Sequence, residues 1–251
     1  WDLSPYLDHG AWGPYNNKGD SPYALAGHTM TQFSDTYCVL FGGYNGDGYA
    51  KDVYKMELGG GDWTVWSWTL LTDSGDTPSV RAGHTMMSFA DDSGVIFGGY
   101  DGATYLNDTY QLIVSNTSAT WTQFTNTGEI PSGRSALSMV ELDFDTFVMF
   151  GGQDGDSSFD DLYQVELSGT SATWTQLTNP SDSPSGRGGY MMSTAGDGSA
   201  VLFGGDNGSS CFNDFYLLEV TTPSPTAAPT ASPTASPTTA SPTSASPTTA
   251  S

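Results

Sequence analysis

A segment that recurs four times is the feature that most constrains how this chain can fold. In every copy an Asp follows the first Phe by 11 positions and a Tyr follows it by 13, and the copies are 56, 53 and 53 residues apart. A self-similar period of about 50 residues predicts an array of equivalent structural units. The copies are FGGYNGDGYAKDVYKMEL from Phe41, FGGYDGATYLNDTYQLIV from Phe97, FGGQDGDSSFDDLYQVEL from Phe150 and FGGDNGSSCFNDFYLLEV from Phe203.

The composition divides the chain into two parts. Residues 221–251 contain only Thr, Pro, Ser and Ala, so they have too little apolar surface to form a core, and we expect a disordered, extended spacer. Residues 1–220 carry every charged and aromatic side chain, and a segment of that length is long enough for one domain with a sizeable core.

Each period can be divided into four β-strands. The first strand follows the run PSVRAGHTMMSF or its equivalents, and the second is a short apolar run such as CVLF or GVIF. The third alternates as in DVYKMEL, and the fourth contains a Trp, as in ATWTQF. Four strands per period, without apolar residues at helical spacing, predict an all-β chain of four-stranded β-propeller blades.

The repeated glycines and aromatic residues have architectural explanations. A glycine pair after the second strand lets neighbouring blades approach and can adopt positive φ, and the following Asn-Gly or Asp-Gly suits a hairpin. The Tyr of the third strand and the Trp of the fourth supply apolar wedges between blades. These positions are Gly42, Gly43, Gly98, Gly99, Gly151, Gly152, Gly204, Gly205, Tyr54, Tyr110, Tyr163, Tyr216, Trp12, Trp68, Trp121 and Trp174.

On these motifs the chain resembles the kelch-repeat proteins, over about residues 10–220. The runs PSVRAGH, FGGY, NDTYQL and ATWTQF correspond to the successive elements of the kelch repeat. The resemblance implies a kelch-type propeller of the galactose-oxidase-like superfamily, acting as a non-catalytic protein- or glycan-binding or scaffolding module. The first repeat departs at Leu25, where the others have Arg, and Leu137 and Tyr190 replace the His of the AGH motif.

The number of blades is open at this stage. The interval from Trp12 to Pro22 equals that from Trp68 to Pro78, so the Trp12 segment is predicted to be a fourth strand that closes a four-blade ring. However, the interval from Trp1 to Trp12 equals that from the third-strand Tyr110 to the fourth-strand Trp121. That register places Trp1 in a third strand and indicates that the chain starts inside a blade. We therefore favour a fragment of a larger ring over a closed four-blade ring.

Three arginines, Arg81, Arg134 and Arg187, occupy one register in three repeats. One interpretation is structural, with the repeated Asp52, Asp108, Asp161 and Asp214 as their ion-pair partners. The other is a ring of guanidinium groups that binds a carboxylate-bearing partner, such as an acidic peptide, at the channel mouth. We favour the structural interpretation.

No metal site, cofactor or catalytic group is predicted. The carboxylate-rich loops lack the ligand pattern of a dedicated calcium loop, so turn chemistry explains them better. His28 and His84 share a register, but they do not make up the His, Tyr and Cys set of a galactose-oxidase-type site. The alternative is a fragment of a secreted enzyme, such as a galactose-oxidase-like oxidase, whose catalytic residues lie outside this chain.

The net charge is -22, from 28 acidic and 6 basic residues. Nucleic acid and anionic membranes are therefore excluded as favoured partners, because both require clustered Lys and Arg. No run of apolar residues is long enough to span a membrane. A protein or glycan partner remains.

The two cysteines, Cys38 and Cys211, are expected to be small buried apolar residues rather than a disulfide. Asn107, Asn116 and Asn207 each begin an Asn-x-Ser/Thr sequon and are candidate glycosylation sites. Together with the Ser/Thr/Pro-rich segment, which is typical of O-glycosylated stalks, they favour an extracellular or cell-surface location.

Overall fold

The computed structural model describes residues 18–57, 67–143, 145–196 and 198–219. All the regular secondary structure in these ranges is β-strand, arranged as four consecutive sheets, which we call blades I to IV. Blade I comprises β1 (Lys18–Gly19), β2 (Thr29–Ser34), β3 (Tyr37–Tyr44), β4 (Tyr49–Glu57) and β5 (Ser67–Leu70). Blade II comprises β6 (Thr72–Gly75), β7 (Thr85–Ala90), β8 (Ser93–Phe97), β9 (Thr109–Val114) and β10 (Ser118–Gln123). Blade III comprises β11 (Thr125–Gly128), β12 (Ser138–Asp143), β13 (Thr146–Phe150), β14 (Leu162–Ser168) and β15 (Ser171–Leu177). Blade IV comprises β16 (Met191–Gly196), β17 (Ser199–Phe203) and β18 (Phe215–Glu219).

The four strands predicted for each period form an antiparallel meander. In blade II the order is β6-β10-β9-β8-β7, and blades I and III repeat it. The prediction of four strands per blade omitted the outermost strand, which pairs in parallel with the Trp strand. This fifth strand is short and polar, as in the TDSG of β6, so it lacks the alternation of apolar residues by which a strand is recognised.

The strands that correspond to the first of the predicted four lie next to one another in consecutive blades: β2 contacts β7, β7 contacts β12 and β12 contacts β16. Backbone hydrogen bonds join the loops that precede them: Gly83 N donates to Gly27 O, Ala136 N to Gly83 O and Gly189 N to Ala136 O, over 2.7–2.8 Å. No corresponding bond joins Gly27 to Gly189, both of which are described. Over the described ranges the four blades therefore form an open row.

The core lies between blades and is built on the predicted aromatic wedges. Trp121 of blade II packs on Phe41 of blade I with ring centroids 4.8 Å apart, and Trp174 of blade III packs on Phe97 of blade II at 4.6 Å. Both Trp side chains are 1% exposed. These two junctions thus pair the second-strand Phe of one blade with the fourth-strand Trp of the next.

The repeated glycine pair is required by both conformation and space. Gly98 and Gly99 have φ of 71° and 103°. A Cβ atom on Gly98 would lie 2.8 Å from the carbonyl oxygen of Arg134, and the N–H of Gly99 donates to that same oxygen at 2.8 Å. The pair therefore lets a second strand end against the backbone of the following blade.

Trp1, Trp12, His9 and residues 221–251 lie outside the described residues. The structure has no helix, in the ranges it describes, with the length and hydropathy needed to cross a membrane.

Candidate functional site

The three arginines of the shared register are buried and fully hydrogen-bonded. Their side chains are at most 1% exposed, and each forms a two-pronged ion pair with the repeated Asp that precedes the third strand, with Nη1–Oδ1 distances of 2.7, 2.5 and 2.5 Å. In the middle case Arg134 also donates to the carbonyl oxygens of Gly151 and Ser132 and to the hydroxyl of Ser132. The same bonds form around Arg81 and Arg187. All five N–H groups are engaged, so the geometry favours the structural interpretation.

The carboxylate and aromatic partners complete this arrangement. The hydrogen bond from Arg187 holds the pKa of Asp214 below its usual value. The Arg134 guanidinium lies 4.1 Å from the ring centroid of Phe159. In blade I, where Leu25 replaces the arginine, the hydroxyl of Tyr23 donates to Asp52 at 3.0 Å instead.

The turns between second and third strands follow the predicted turn chemistry. The side-chain oxygen of Asp101 accepts hydrogen bonds from the N–H groups of Ala103 and Thr104 at 2.8 and 2.7 Å. These bonds lower the pKa of Asp101. Asn45, Asp154 and Asn207 accept the equivalent pairs of bonds. No group of three metal-ligating side chains occurs in the described ranges.

The two histidines of the shared register have different surroundings. His28 is exposed, whereas His84 is buried and its Nε2 lies 2.7 Å from the Thr29 hydroxyl. Burial, with a contribution from the Arg81 charge, lowers the pKa of His84 to about 3. His84 is therefore neutral and belongs to the junction between blades I and II.

The prediction that both cysteines are buried is wrong for Cys211, which is exposed, while Cys38 is half-buried. Cys211 lies after a surface turn, at the position that Tyr105 occupies two repeats earlier, so its side chain is outside the core. The three sequon asparagines, Asn107, Asn116 and Asn207, are accessible rather than buried.

The structure places together four tyrosines that the sequence analysis did not single out. Tyr44 and Tyr49 flank the turn of blade I, and Tyr100 and Tyr105 flank that of blade II. Successive ring centroids along Tyr44, Tyr49, Tyr100 and Tyr105 are 4.9, 5.6 and 4.6 Å apart. We call this group the tyrosine surface. It lies at the end of the blades where the turns between second and third strands are found.

Glycines of the neighbouring turns allow these rings to cross from one blade to the next. A Cβ atom on Gly102 would lie 2.9 Å from the ring of Tyr49, and one on Gly155 would lie 2.8 Å from the hydroxyl of Tyr105. The Asn-Gly and Asp-Gly turns therefore serve the tyrosine surface as well as the hairpins. The signal in the sequence was an aromatic residue eight positions after the Phe of the first two repeats.

The electrostatic surroundings of the tyrosine surface are acidic. Burial, the neighbouring Tyr100 and the carboxylates of Asp154 and Asp156 raise the pKa of Tyr105. Burial and the neighbouring Tyr100, Tyr44 and Tyr105 raise the pKa of Tyr49, to which Asp101 also contributes. The hydroxyls of Tyr49 and Tyr105 therefore stay protonated at neutral pH, and the tyrosine surface presents aromatic faces beside negative charge.

Comparison with known proteins agrees with this architecture. The model of the KLHDC2/KLHL20/DRC7 Kelch-repeats domain matches residues 6–187 and 115–248. The chain belongs to the kelch-repeat family. Kelch propellers generally mediate protein interactions, and the relatives are consistent with a non-catalytic binding or scaffolding module.

Three relatives illustrate the range of proteins that carry similar kelch repeats. Acyl-CoA-binding domain-containing protein 4 of Arabidopsis thaliana is 25% identical over 84% of this chain and 32% of its own length. Tip elongation aberrant protein 1 of Schizosaccharomyces pombe is 31% identical over 82% of this chain and 18% of its own. Rab9 effector protein with kelch motifs of Mus musculus is 26% identical over 81% of this chain and 53% of its own. The chain thus spans between about a fifth and a half of these relatives.

Proposed function

We propose that this kelch domain is a non-catalytic protein-binding module whose tyrosine surface takes Lys or Arg side chains of a partner. The observation that carries the proposal is the row of four tyrosine rings beside carboxylates. A cation over an aromatic face is attracted by the ring quadrupole, and a nearby carboxylate adds to that attraction. Tyrosine is also enriched in protein interfaces because it offers a large, rigid contact area.

The distribution of basic residues supports a cationic partner. Arg81, Arg134 and Arg187 are buried in ion pairs, and Lys55 pairs with Glu57 at 3.1 Å. Of the six basic residues, this leaves Lys18 and Lys51, both exposed. The surface available to a partner is dominated by carboxylates, which speed the approach of positively charged molecules.

Two other partner classes were expected from the sequence. An acidic peptide at the arginine register has little support, because those arginines have no free N–H group to offer. A glycan could use the same aromatic rings and carboxylates, so it becomes an outcome of the test below. The fragment-of-an-enzyme alternative gains no support from the family comparison, since kelch relatives are generally non-catalytic.

The test measures binding of fluorescent Lys- and Arg-containing peptides, with a glycan array run in parallel. We expect Tyr105→Leu, which removes the aromatic face and keeps apolar bulk, to weaken peptide binding by about tenfold or more, as for an interface hot spot. Tyr23→Leu is the matched control, since Tyr23 is 44% exposed and lies in blade I outside the tyrosine surface. Peptide binding that is unchanged in Tyr105→Leu, or binding of glycans alone, would contradict a cationic protein partner.

We also propose an extracellular or cell-surface location with N-linked glycans. The accessibility of Asn107, Asn116 and Asn207 supports it, because an acceptor must be reachable by the transferase. Enzymatic removal of N-glycans from protein isolated from its natural source should lower its mass. An unchanged mass would remove the support for the sequons.

A further inference from the structure

Blade IV contains a cavity where blades II and III hold a tryptophan. The cavity has a volume of about 800 Å³ and lies between blades III and IV. Its walls include Phe150 of blade III and Met192, Leu202, Tyr216 and Leu218 of blade IV. Blade IV has three strands in the described ranges, and the position beside β18 corresponds to that of the Trp strand in the other blades.

The walls of the cavity match the surroundings of a fourth-strand Trp. Trp174 packs on Phe97 at 4.6 Å and contacts Tyr163 edge-on at 6.3 Å. One repeat later these two partners are Phe150 and Tyr216, and both line the cavity. We call this cavity the tryptophan socket.

The socket also contains the expected polar partner. The indole N–H of Trp121 donates to Asp73 at 3.1 Å, and that of Trp174 donates to Asn126 at 3.3 Å. The equivalent residue of blade IV is Asn179, which lines the cavity and donates its own amide hydrogen to the carbonyl of Asp160. Its amide oxygen is therefore the acceptor for an incoming indole N–H.

Residues 221–251 contain only Thr, Pro, Ser and Ala, so this segment has no tryptophan to offer the socket. The chain does have a tryptophan in the matching register before blade I, namely Trp12, because the interval from Trp12 to Pro22 equals that from Trp121 to Pro131. Pro14 is the second residue after Trp12. At that position of blades II and III the N–H of Gln123 or Gln176 points to Asp76 or Glu129, so a proline there would not interrupt the strand ladder.

At the two ends of the row, a Phe of blade IV and a Trp of blade I lack a Phe–Trp contact among the described residues. Phe203, the second-strand Phe of blade IV, is 56% exposed. Trp68 of blade I is half-buried, and among the described residues its only ring contact is Tyr54 of its own blade. Between blades I and II and between blades II and III, the equivalent Phe packs on the equivalent Trp.

The exposed face of blade IV extends well beyond Phe203. Met191, Phe215 and Leu217 are 74%, 65% and 55% exposed. Met191 and Phe215 pair on either side of Phe203, so these side chains share one sheet face. The corresponding face of blade I includes Phe41 and Val53, which are at most 1% exposed because blade II covers them. A contiguous apolar face of this kind marks an interaction surface.

We propose that a second copy of this chain covers the face, joining head to tail. The Trp12 segment of one copy enters the tryptophan socket of the other, and blade I of the first packs its Trp68 on Phe203 of the second. The contact repeats the junction that blades I to III already make within one chain. A second copy is favoured over closure within one chain because Phe203 and Trp68 are left apart in the row, and because the backbone chain from Gly27 to Gly189 does not close.

The net charge of -22 per copy opposes this association at long range. Dimerisation should therefore strengthen as ionic strength rises from about 20 mM to about 200 mM, over which the Debye length falls to below about 10 Å. An association driven by opposite charges would show the reverse dependence.

The experiment is sedimentation velocity and light scattering on the full chain over a range of protein concentrations. We expect a dimer whose dissociation constant increases about tenfold or more in Trp12→Ala and in Phe203→Asp, because each variant removes a central aromatic anchor. Ile113→Asp is the matched control, since Ile113 is an exposed apolar residue of blade II, and it should dimerise as the unmodified chain does.

Complementation distinguishes the proposed contact from other modes of association. Leu218→Trp should fill the tryptophan socket with a side chain of its own chain. In a mixture of the two variants, Leu218→Trp keeps Trp12 and Trp12→Ala keeps an unfilled socket, so one contact can still form. The mixture should form heterodimers while Trp12→Ala alone stays weakly associated. The proposal would be overturned if the chain stays monomeric at all concentrations, whether or not Trp12→Ala destabilises it. It would also be overturned by a dimer whose dissociation constant is changed by neither Trp12→Ala nor Phe203→Asp.

Discussion

Arg134 shows how a residue type associated with ligand binding can serve the fold. Its guanidinium is 1% exposed and its five N–H groups are all engaged, with Asp161, Ser132 and Gly151 as the acceptors. We expect Arg134→Ala to lower the free energy of unfolding by about 3–5 kcal/mol, because Asp161 would be left as an uncompensated, largely buried charge. Urea denaturation measures this loss, with Lys51→Ala as the exposed control, which should change stability by less than about 0.5 kcal/mol.

The Arg134–Asp161 pair can be separated from general damage by a double-mutant cycle. The combined variant Arg134→Ala/Asp161→Ala should cost less than the sum of the two single variants, because it leaves no unpaired charge. A loss below about 1 kcal/mol in Arg134→Ala would instead indicate an arginine that is free to bind a ligand.

His84 makes the stability of the protein sensitive to mild acid. Its pKa in the folded state is lowered to about 3, while an unfolded histidine titrates near about 6.5. Between these values the unfolded chain binds the extra proton, so stability falls as pH decreases from about 6.5 towards about 3, and His84 makes no difference above that window.

Leu137 occupies the position of His84 in the next repeat, so His84→Leu is a substitution that the fold already accommodates. Between about pH 6 and about pH 4, in the middle of that window, the free energy of unfolding of His84→Leu should fall less steeply with decreasing pH than that of the unmodified protein. The two slopes should differ by up to about 1.4 kcal/mol per pH unit. Parallel pH dependences of the two proteins would mean that His84 is protonated, or solvated, within the fold. Contributions that are the same in the two proteins cancel in this comparison.

The residues that sequence reasoning missed are those that do not recur. Tyr49 and Tyr105 are replaced by Ser158 and Cys211 in the later repeats. A comparison of repeats emphasises what all copies share, which is architecture. Among the described blades the tyrosine surface is formed by two, and it depends on glycines of adjacent turns: Gly102 leaves room for the ring of Tyr49, and Gly155 for the hydroxyl of Tyr105. The burial of Cys211 was also predicted wrongly, because cysteine does not recur at this position of the repeat and the position itself lies on the surface.

At the scale of elements, a comparison of Gly98 with Gly46 tests whether close approach of a neighbouring blade or backbone conformation contributes more to stability. Gly98 and Gly46 both have positive φ, but a Cβ atom on Gly98 would lie 2.8 Å from Arg134 O, whereas Gly46 has nothing within 4 Å. Gly46→Ala should therefore cost about 1 kcal/mol from strain alone, and Gly98→Ala clearly more. Thermal unfolding of the two variants gives the comparison, and equal losses would show that the blade contact yields without cost.

The strands that could be predicted are those whose side chains carry a pattern. The apolar run of β8 and the alternation of β14 are visible in the sequence because these strands bury side chains. The outermost strand β6 is attached to β10 through parallel backbone hydrogen bonds. Backbone pairing leaves little trace in residue type, so this element could not be recognised from composition or periodicity.

At the scale of the whole molecule, the repeat specifies how one blade sits on the next but not how many blades complete a ring. The same Phe–Trp contact is made between blades I and II and between blades II and III, and nothing in one junction encodes a total. Phe203 is exposed and Trp68 has no Phe partner among the described residues, and both observations follow from that locality. The kelch fold was therefore predictable from residues, whereas closure depends on which molecule supplies the next blade.

The net charge of -22 also acts on the whole molecule, since its carboxylates repel one another in the compact state. Raising NaCl from about 20 mM to about 200 mM should increase the Tm, because exposed charges are screened while the buried Arg–Asp pairs are screened much less. The Tm should be measured on the Phe203→Asp variant, so that association does not contribute. Choline chloride should raise the Tm as NaCl does if screening is the cause. A Tm that falls with salt would mean that attractive surface ion pairs outweigh the repulsion.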